Sequence, residues 1–272
     1  MQDITTGSFV KPRWTFSTPR SIRVVDWNIE RGVKLDSVLK FLKSSQPDLI
    51  HLQEVDVNTR RTHRQNIAEE IARALQMNYV FGLEFQELIQ GSRESPAYTG
   101  QATLSPWPLL NPRVIRFRRQ SGFWHPHWFV PNTVPFQERL GGRIALAADL
   151  EVGGVRIATY NPHLESRGGD NLRLSQIEEM IRDSAKQPRV ILAGDFNINC
   201  SRPDVASLIE GAGFRRAVEI EQPTTITFGF LFRGRMIDWA FVRGPGQVRD
   251  GRQHNNVPGS DHYPISFELA LG

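Results

Sequence analysis

VILAGDFN, residues 190–197, reads as a buried strand that stops at an acid and an amide. Val190 to Ala193 are apolar without interruption, as in a strand covered on both faces. Gly194 permits a close approach of backbone or ligand. Asp195 and Asn197 are two residues apart, so in extended chain both face the same side. Oxygen donors at the end of such a strand lie at a sheet edge, where open α/β sheets build their sites.

Working outward, the same pattern recurs. Upstream, Ser21–Trp27 is a strand ending at Asn28, and Leu49–Gln53 is a strand ending at Glu54. Leu35, Val38, Leu39 and Leu42 mark a helix between them, closed by Pro47 and Asp48. Ile67, Ile71, Ala74 and Leu75 mark a second helix, and Tyr79–Phe85 a third strand. Residues 91–142 read as irregular. Arg143–Glu151 and Val155–Tyr160 form a hairpin across Gly153 and Gly154, with His163 just beyond it. A helix spans Leu172–Ile181, and Val205, Leu208 and Ile209 mark a short one. Asp238 sits inside the strand Met236–Val242. Asp261 and His262 precede the last strand, Tyr263–Leu269. Strands alternating with helices, plus a hairpin, predict mixed sheets.

The residue types converge on one chemistry. Asn28, Glu54, Asp195 and Asp261 are hard oxygen donors suited to Mg²⁺. Asp238 is a carboxylate flanked by apolar residues, costly to bury unless paired. His51, in mid-strand, is expected to pack. His125 and His127 lack acidic or cysteine neighbours and are not expected to bind metal.

Six motifs carry a resemblance. WNIER (27–31), LQEVD (52–56), NPHLES (161–166), GDFN (194–197), IDWAF (237–241) and SDHYP (260–264), in that order, resemble the endonuclease/exonuclease/phosphatase (deoxyribonuclease-I-like) superfamily across residues 21–270. The resemblance implies an α/β (α+β) fold: two mixed β-sheets packed as a sandwich flanked by helices, four layers α/β/β/α. It implies Asn28, Glu54 and Asp261 on the metal side. It implies Asp195 and Asn197 orienting water and phosphate, His262 as the catalytic histidine with Asp238 as its partner, and His163 as a second histidine. Glu30 matches an auxiliary acidic position. This chain has Pro162-His163-Leu164 where many members have Thr-His-Leu. Gln101 stands where many have an Asn near the phosphate.

The expected reaction is in-line hydrolysis of a phosphodiester with Mg²⁺ or Mn²⁺. Either His262 or Asp195 takes the water's proton. The 272 residues, 39% hydrophobic and 23% charged, fit a globular chain with residues 1–20 as an N-terminal extension and 21–272 as one catalytic domain. One cysteine, Cys200, excludes an intrachain disulfide and a cysteine-rich zinc site. No apolar run is long enough to span a bilayer, and no signal-peptide pattern opens the chain. These features give a cytoplasmic expectation. The net charge is +4, with a pI near 9.5. Among phosphate-ester substrates, nucleic acid is favoured because Arg113, Arg116, Arg118 and Arg119 could form a ridge for phosphates. A phospholipid or inositol-phosphate hydrolase is the alternative, acting at a membrane through the aromatic run Phe123–Phe129, which could instead stack on bases or cap the core. A catalytically silent binding module is a third reading.

Overall fold

The computed structural model describes residues 2–11, 19–134, 136–226 and 234–271; Trp14 and Phe16 lie outside them. The strands are β1 (Ile4–Ser8), β2 (Ser21–Arg31), β3 (Leu49–Val57), β4 (Asn78–Glu87), β5 (Ala97–Ser105), β6 (Leu109–Arg116), β7 (Arg139–Gly141), β8 (Ile144–Val152), β9 (Val155–His163), β10 (Val190–Asp195), β11 (Arg215–Arg216), β12 (Asp238–Arg243), β13 (Val248–Gln253) and β14 (Ile265–Ala270). The helices are α1 (Leu35–Ser45), α2 (Ile67–Leu75), α3 (Asp170–Ser184) and α4 (Pro203–Gly211). One sheet runs β1-β4-β5-β3-β2-β14-β13, with β7 beside β4. The other runs β11-β12-β10-β9-β8-β6. β2–β3 and β9–β10 are parallel and the remaining pairs antiparallel, so both sheets are mixed.

Side-chain alternation along β2 explains the layering. Val25, Trp27 and Ile29 pack on one face with Val38 and Leu42 of α1 and Ile67 and Ile71 of α2. Val24 points the other way, into the core shared with the second sheet and with Ile177, Met180, Val205 and Ile209 of α3 and α4. The result is the expected α/β/β/α sandwich. Gly153 and Gly154, at φ 56° and 80°, make the tight turn between β8 and β9.

Residues 91–142 depart from expectation, because they contain β5, β6 and β7. β5 is an interior strand, yet it reads AYTGQATLS. Thr99, Gln101 and Thr103 alternate with the core residues Ala102 and Leu104. A strand that meets a second sheet through polar groups carries no apolar run for sequence reading to detect.

Candidate active site

Two backbone irregularities aim the first acidic groups. The β2–β3 register shifts between Asn28 and Arg31, and the β3–β5 register shifts between Leu52 and Val55. Bulges of this kind redirect a side chain. Glu54 sits in the second at φ 53°, with Glu30 and Arg31 in the first at φ 46° and 69°. Left-handed backbone at such residues costs on the order of 1 kcal/mol each and concentrates at functional sites. In the other sheet, Asp195 is registered against His163 of β9 and Asp238 of β12, so three neighbouring strands end in a row of polar residues. Gly194 is required there, since a Cβ would stand 2.2 Å from the Pro162 carbonyl oxygen. Asn197 lies past the strand at φ 50°, so a turn, not extension, brings it round. Its backbone N–H donates to Asp195 Oδ1 (2.9 Å) and its amide to the Leu164 carbonyl (3.1 Å).

His262 and Asp238 form a buried pair, with Nδ1 2.9 Å and 3.0 Å from the two carboxylate oxygens. The motifs around them are its scaffold. Trp27 Nε1 donates to the His262 carbonyl (2.9 Å). Ser260 Oγ donates to the Asn28 carbonyl (2.6 Å) and accepts from the His262 N–H (3.0 Å). Thr224 Oγ accepts from the Asp238 N–H (3.2 Å). Burial disfavours the His262 cation, but the Asp238, Asp195 and Asp261 carboxylates outweigh it and push its pKa up to about 10. Burial raises Asp238, against the pull of His262.

His163 lies 3.5 Å from Asp195 and 3.3 Å from Glu84, a fully buried carboxylate of β4. Arg143 donates to Glu84 (2.9 Å), to the His163 ring and to Ser166 Oγ (2.9 Å). Glu84 and Arg143 escaped sequence reading. Glu84 could have been found by the argument applied to Asp238, a carboxylate in an apolar strand. Arg143, just before β8, has no comparable signal.

Asn28 donates to Asp195 Oδ2 (3.3 Å) and accepts from the Glu30 N–H (3.2 Å). Glu54 pairs with Arg31. Burial favours its neutral form, yet Arg31, with His163, Arg143 and Arg139, holds its pKa well below the usual carboxylate range. These oxygens fit a hard divalent cation by donor type. One ligand atom each of Asp195, Asp238 and His262 also lie within 4.8 Å of one another. Because His262 Nδ1 faces Asp238, these two serve each other, which leaves Glu54, Asn28, Asp195 and Asp261 as the better cation donors.

A cleft of about 630 Å³ opens over this end of the sandwich. Glu54, His163, Asp195, Asn197, Asp261 and His262 line it, with Asn28 and Asp238 buried behind them. Five arginines share the lining, Arg31, Arg139, Arg143, Arg167 and Arg235. The expected ridge is elsewhere. Arg113 pairs with Asp183, Arg116 with Asp3, and Arg118 lies past the end of β6; none of the four lines the cleft. β6 is the edge of its sheet, so its arginines meet local acids there. The aromatic run divides. Trp124 is 6% exposed and donates to Glu165 (3.1 Å), while Trp128 is 95% exposed. His125 and His127 are outside the cleft lining.

Beneath the cleft the sheets meet through buried polar groups. Gln53 donates to Asp26 and to Asn161, each at 2.7 Å. Asn161 donates to the Leu52 and Ala102 carbonyls. Burial, with Asp238 and Asp195 nearby, pushes the Asp26 carboxyl well above its ordinary value. His51 bonds the Ala193 carbonyl (3.0 Å), and burial lowers its pKa to about 4, as a packing residue requires. Gln101 belongs to this layer, fully buried and outside the cleft lining. Cys200 is buried and its thiol is pushed up by burial, which makes it inert.

No curated protein sequence matches the chain. Solved structures with 17–19% identity share the fold. The human Nocturnin catalytic domain with bound sulfate superposes at a TM-score of 0.69, with 17% identity over 99% of this chain and 98% of its own. An endonuclease/exonuclease/phosphatase from Beutenbergia cavernae DSM 12333 gives 0.65, with 19% identity over 93% of this chain and 72% of its own. D. rerio TDP2 complexed with a single strand DNA product gives 0.62, with 17% identity over 92% and 99%. The sequence model of the Endonuclease/Exonuclease/phosphatase family matches residues 27–262, a range that holds every site residue from Asn28 to His262, so the chain belongs to that family.

Proposed function

We propose that the protein is a divalent-metal-dependent phosphodiester hydrolase acting on nucleic acid. The observation that carries this reading is the convergence of Glu54, Asp195, Asp261, His163 and the His262–Asp238 pair at the floor of one arginine-lined cleft. Glu54, Asn28 and Asp261 would hold Mg²⁺ or Mn²⁺, which supplies charge neutralisation at the phosphoryl oxygens. Asn197 and Asn28 hold Asp195 in place from two sides, and Asp195 takes the proton of the attacking water. His262, kept cationic by Asp238, donates from Nε2 to a phosphoryl oxygen as negative charge develops. His163, oriented by Glu84 and Arg143, does the same from the other side.

Nucleic acid is favoured because the cleft itself holds five arginines, and because a structurally similar protein is complexed with a single strand DNA product. The test is binding of a single-stranded oligonucleotide across 50–200 mM salt. Engagement of three phosphates gives a slope of log K against log salt of about −2. A slope near zero overturns the nucleic-acid reading.

One observation favours a membrane lipid instead. Trp128, Phe129, Val134 and Phe136 are exposed in the loop that carries Trp124 to the cleft. Liposome co-sedimentation that Trp128→Ala and Phe129→Ala abolish, without salt-dependent oligonucleotide binding, transfers the assignment to lipid.

A further inference from the structure

We propose that Arg139, beside Arg31 and Arg143, seats a second phosphate group of the substrate, so that the preferred substrate is a nucleotide phosphodiester with a further phosphate next to the scissile one. This rests on the phosphodiesterase reading above and names its substrate more closely.

Arg139 lines the cleft although it is only 5% exposed. Its bonding is incomplete. One terminal nitrogen donates to Glu138 (2.7 Å). Its Nε is buried without a hydrogen-bond partner, 3.5 Å from a Glu87 carboxylate that Arg61 already engages at 3.3 Å. Among the described residues, Glu87 and Glu138 engage Nε and one terminal nitrogen of Arg139, which leaves the other terminal nitrogen for a ligand in the cleft.

Aromatic rings fix its orientation. The Arg139 guanidinium lies 5.4 Å from the Phe85 centroid and 5.5 Å from that of Trp124. Arg143 stacks on the same two rings at 5.3 Å and 5.7 Å. Rings over the guanidinium leave its edge for acceptors, and the terminal nitrogen not engaged by Glu87 or Glu138 is placed to grip a phosphate oxygen there. Trp124 is thus a prop for two cations, and its Nε1 is tied to Glu165. Arg31 adds a third cation, close enough that it joins burial in lowering the Arg139 pKa.

The division of labour separates this seat from the reaction centre. Arg143 is committed to Glu84, His163 and Ser166. Arg139 contacts none of the residues assigned to the reaction and is held by Glu87 and Glu138. The seat therefore belongs to a substrate group other than the phosphorus under attack.

The experiment compares kcat/KM for three thymidine dinucleotides, with no terminal phosphate, a 5′-phosphate or a 3′-phosphate. The wild type should favour one phosphorylated form about 10- to 100-fold. Arg139→Ala should reduce that ratio to under about threefold, with thermal unfolding confirming the fold. Arg139→Lys should keep part of it, as a charge without the fork. Calorimetry in EDTA, with thymidine 3′,5′-bisphosphate against the two monophosphates, reads the seat without turnover and should favour the bisphosphate. Equal kcat/KM values with equal affinities, or a preference that survives Arg139→Ala, overturn the proposal. If bis-p-nitrophenyl phosphate is hydrolysed without any phosphate preference, the seat fails while the phosphodiesterase reading stands. If nothing is hydrolysed, that reading fails and calorimetry still decides the seat. A preference seen with glycerophosphoinositol 4-phosphate over glycerophosphoinositol, and not with dinucleotides, overturns the nucleotide assignment.

Discussion

Replacing Gly194 by alanine tests how the site is positioned. The added Cβ would stand 2.2 Å from the Pro162 carbonyl oxygen and 2.8–2.9 Å from the proline ring. Cβ atoms are essentially never closer than 3.0 Å to a neighbour, so β9 and β10 must separate by at least 0.8 Å here. The obstruction is backbone in a parallel pair and cannot rotate away. Overpacking of this kind costs roughly 1–3 kcal/mol. The displacement falls one residue before the His163–Asp195 register pair, and a shift of about 1 Å in a catalytic group costs on the order of 10²-fold in rate. Urea unfolding and hydrolysis of bis-p-nitrophenyl phosphate, on the same preparation, measure both effects. Gly211→Ala is the control, because its Cβ meets nothing within 4 Å; it should keep the wild-type rate and lose no stability, an alanine in α4 being if anything more favourable by up to about 1 kcal/mol. Wild-type stability and rate in Gly194→Ala would refute the claim that this strand contact sets the geometry.

Trp124→Ala should cost about 3–5 kcal/mol in urea unfolding, the cost of an emptied ring site, whereas Trp124→Phe, which keeps one ring over the arginines but loses the bond to Glu165 and part of the ring volume, should cost about 1–2 kcal/mol; equal losses would show that the stacked arginines do not depend on the ring. In EDTA, stability should fall as pH rises. A histidine raised from its ordinary value to about 10 contributes fully below about pH 6.5 and loses that contribution as pH climbs through its folded pKa, by about 1.4 kcal/mol per pH unit between the two. His262→Gln should remove this slope in a thermal-unfolding series from pH 6 to 10, and an unchanged slope would contradict the buried cation.

The candidate site was legible because its residues terminate strands whose apolar runs are unmistakable, as at Gln53–Glu54 and Ala193–Asp195. Six short signals in fixed order mark one end of the sandwich. What escaped has a common cause. β5 meets the opposite sheet through Thr99, Gln101 and Thr103, so its pattern is that of a polar loop. Glu84 and Arg143 act through partners 20 to 79 residues away, Arg139 pairs with Glu87 as well as with its neighbour Glu138, and Arg143 with Glu84 and His163 is a contact that only the folded sandwich creates. The arginine ridge was misjudged for a related reason. Sequence shows that arginines cluster at residues 113–119, but not that Asp183 and Asp3 fold back to neutralise Arg113 and Arg116. Asp195 and Asn197 lie together as an extended chain would place them, but a left-handed Asn197 makes a turn there instead.

The central claim is that Asp195 and its neighbours hydrolyse phosphodiesters with a divalent cation. The most direct measurement is turnover of bis-p-nitrophenyl phosphate with Mg²⁺ or Mn²⁺ by the wild type and by Asp195→Asn, each with and without EDTA. The account requires wild-type turnover that EDTA abolishes, and a loss of about 10²–10⁴-fold in the variant. No turnover with either metal, or a variant as active as the wild type, would contradict it.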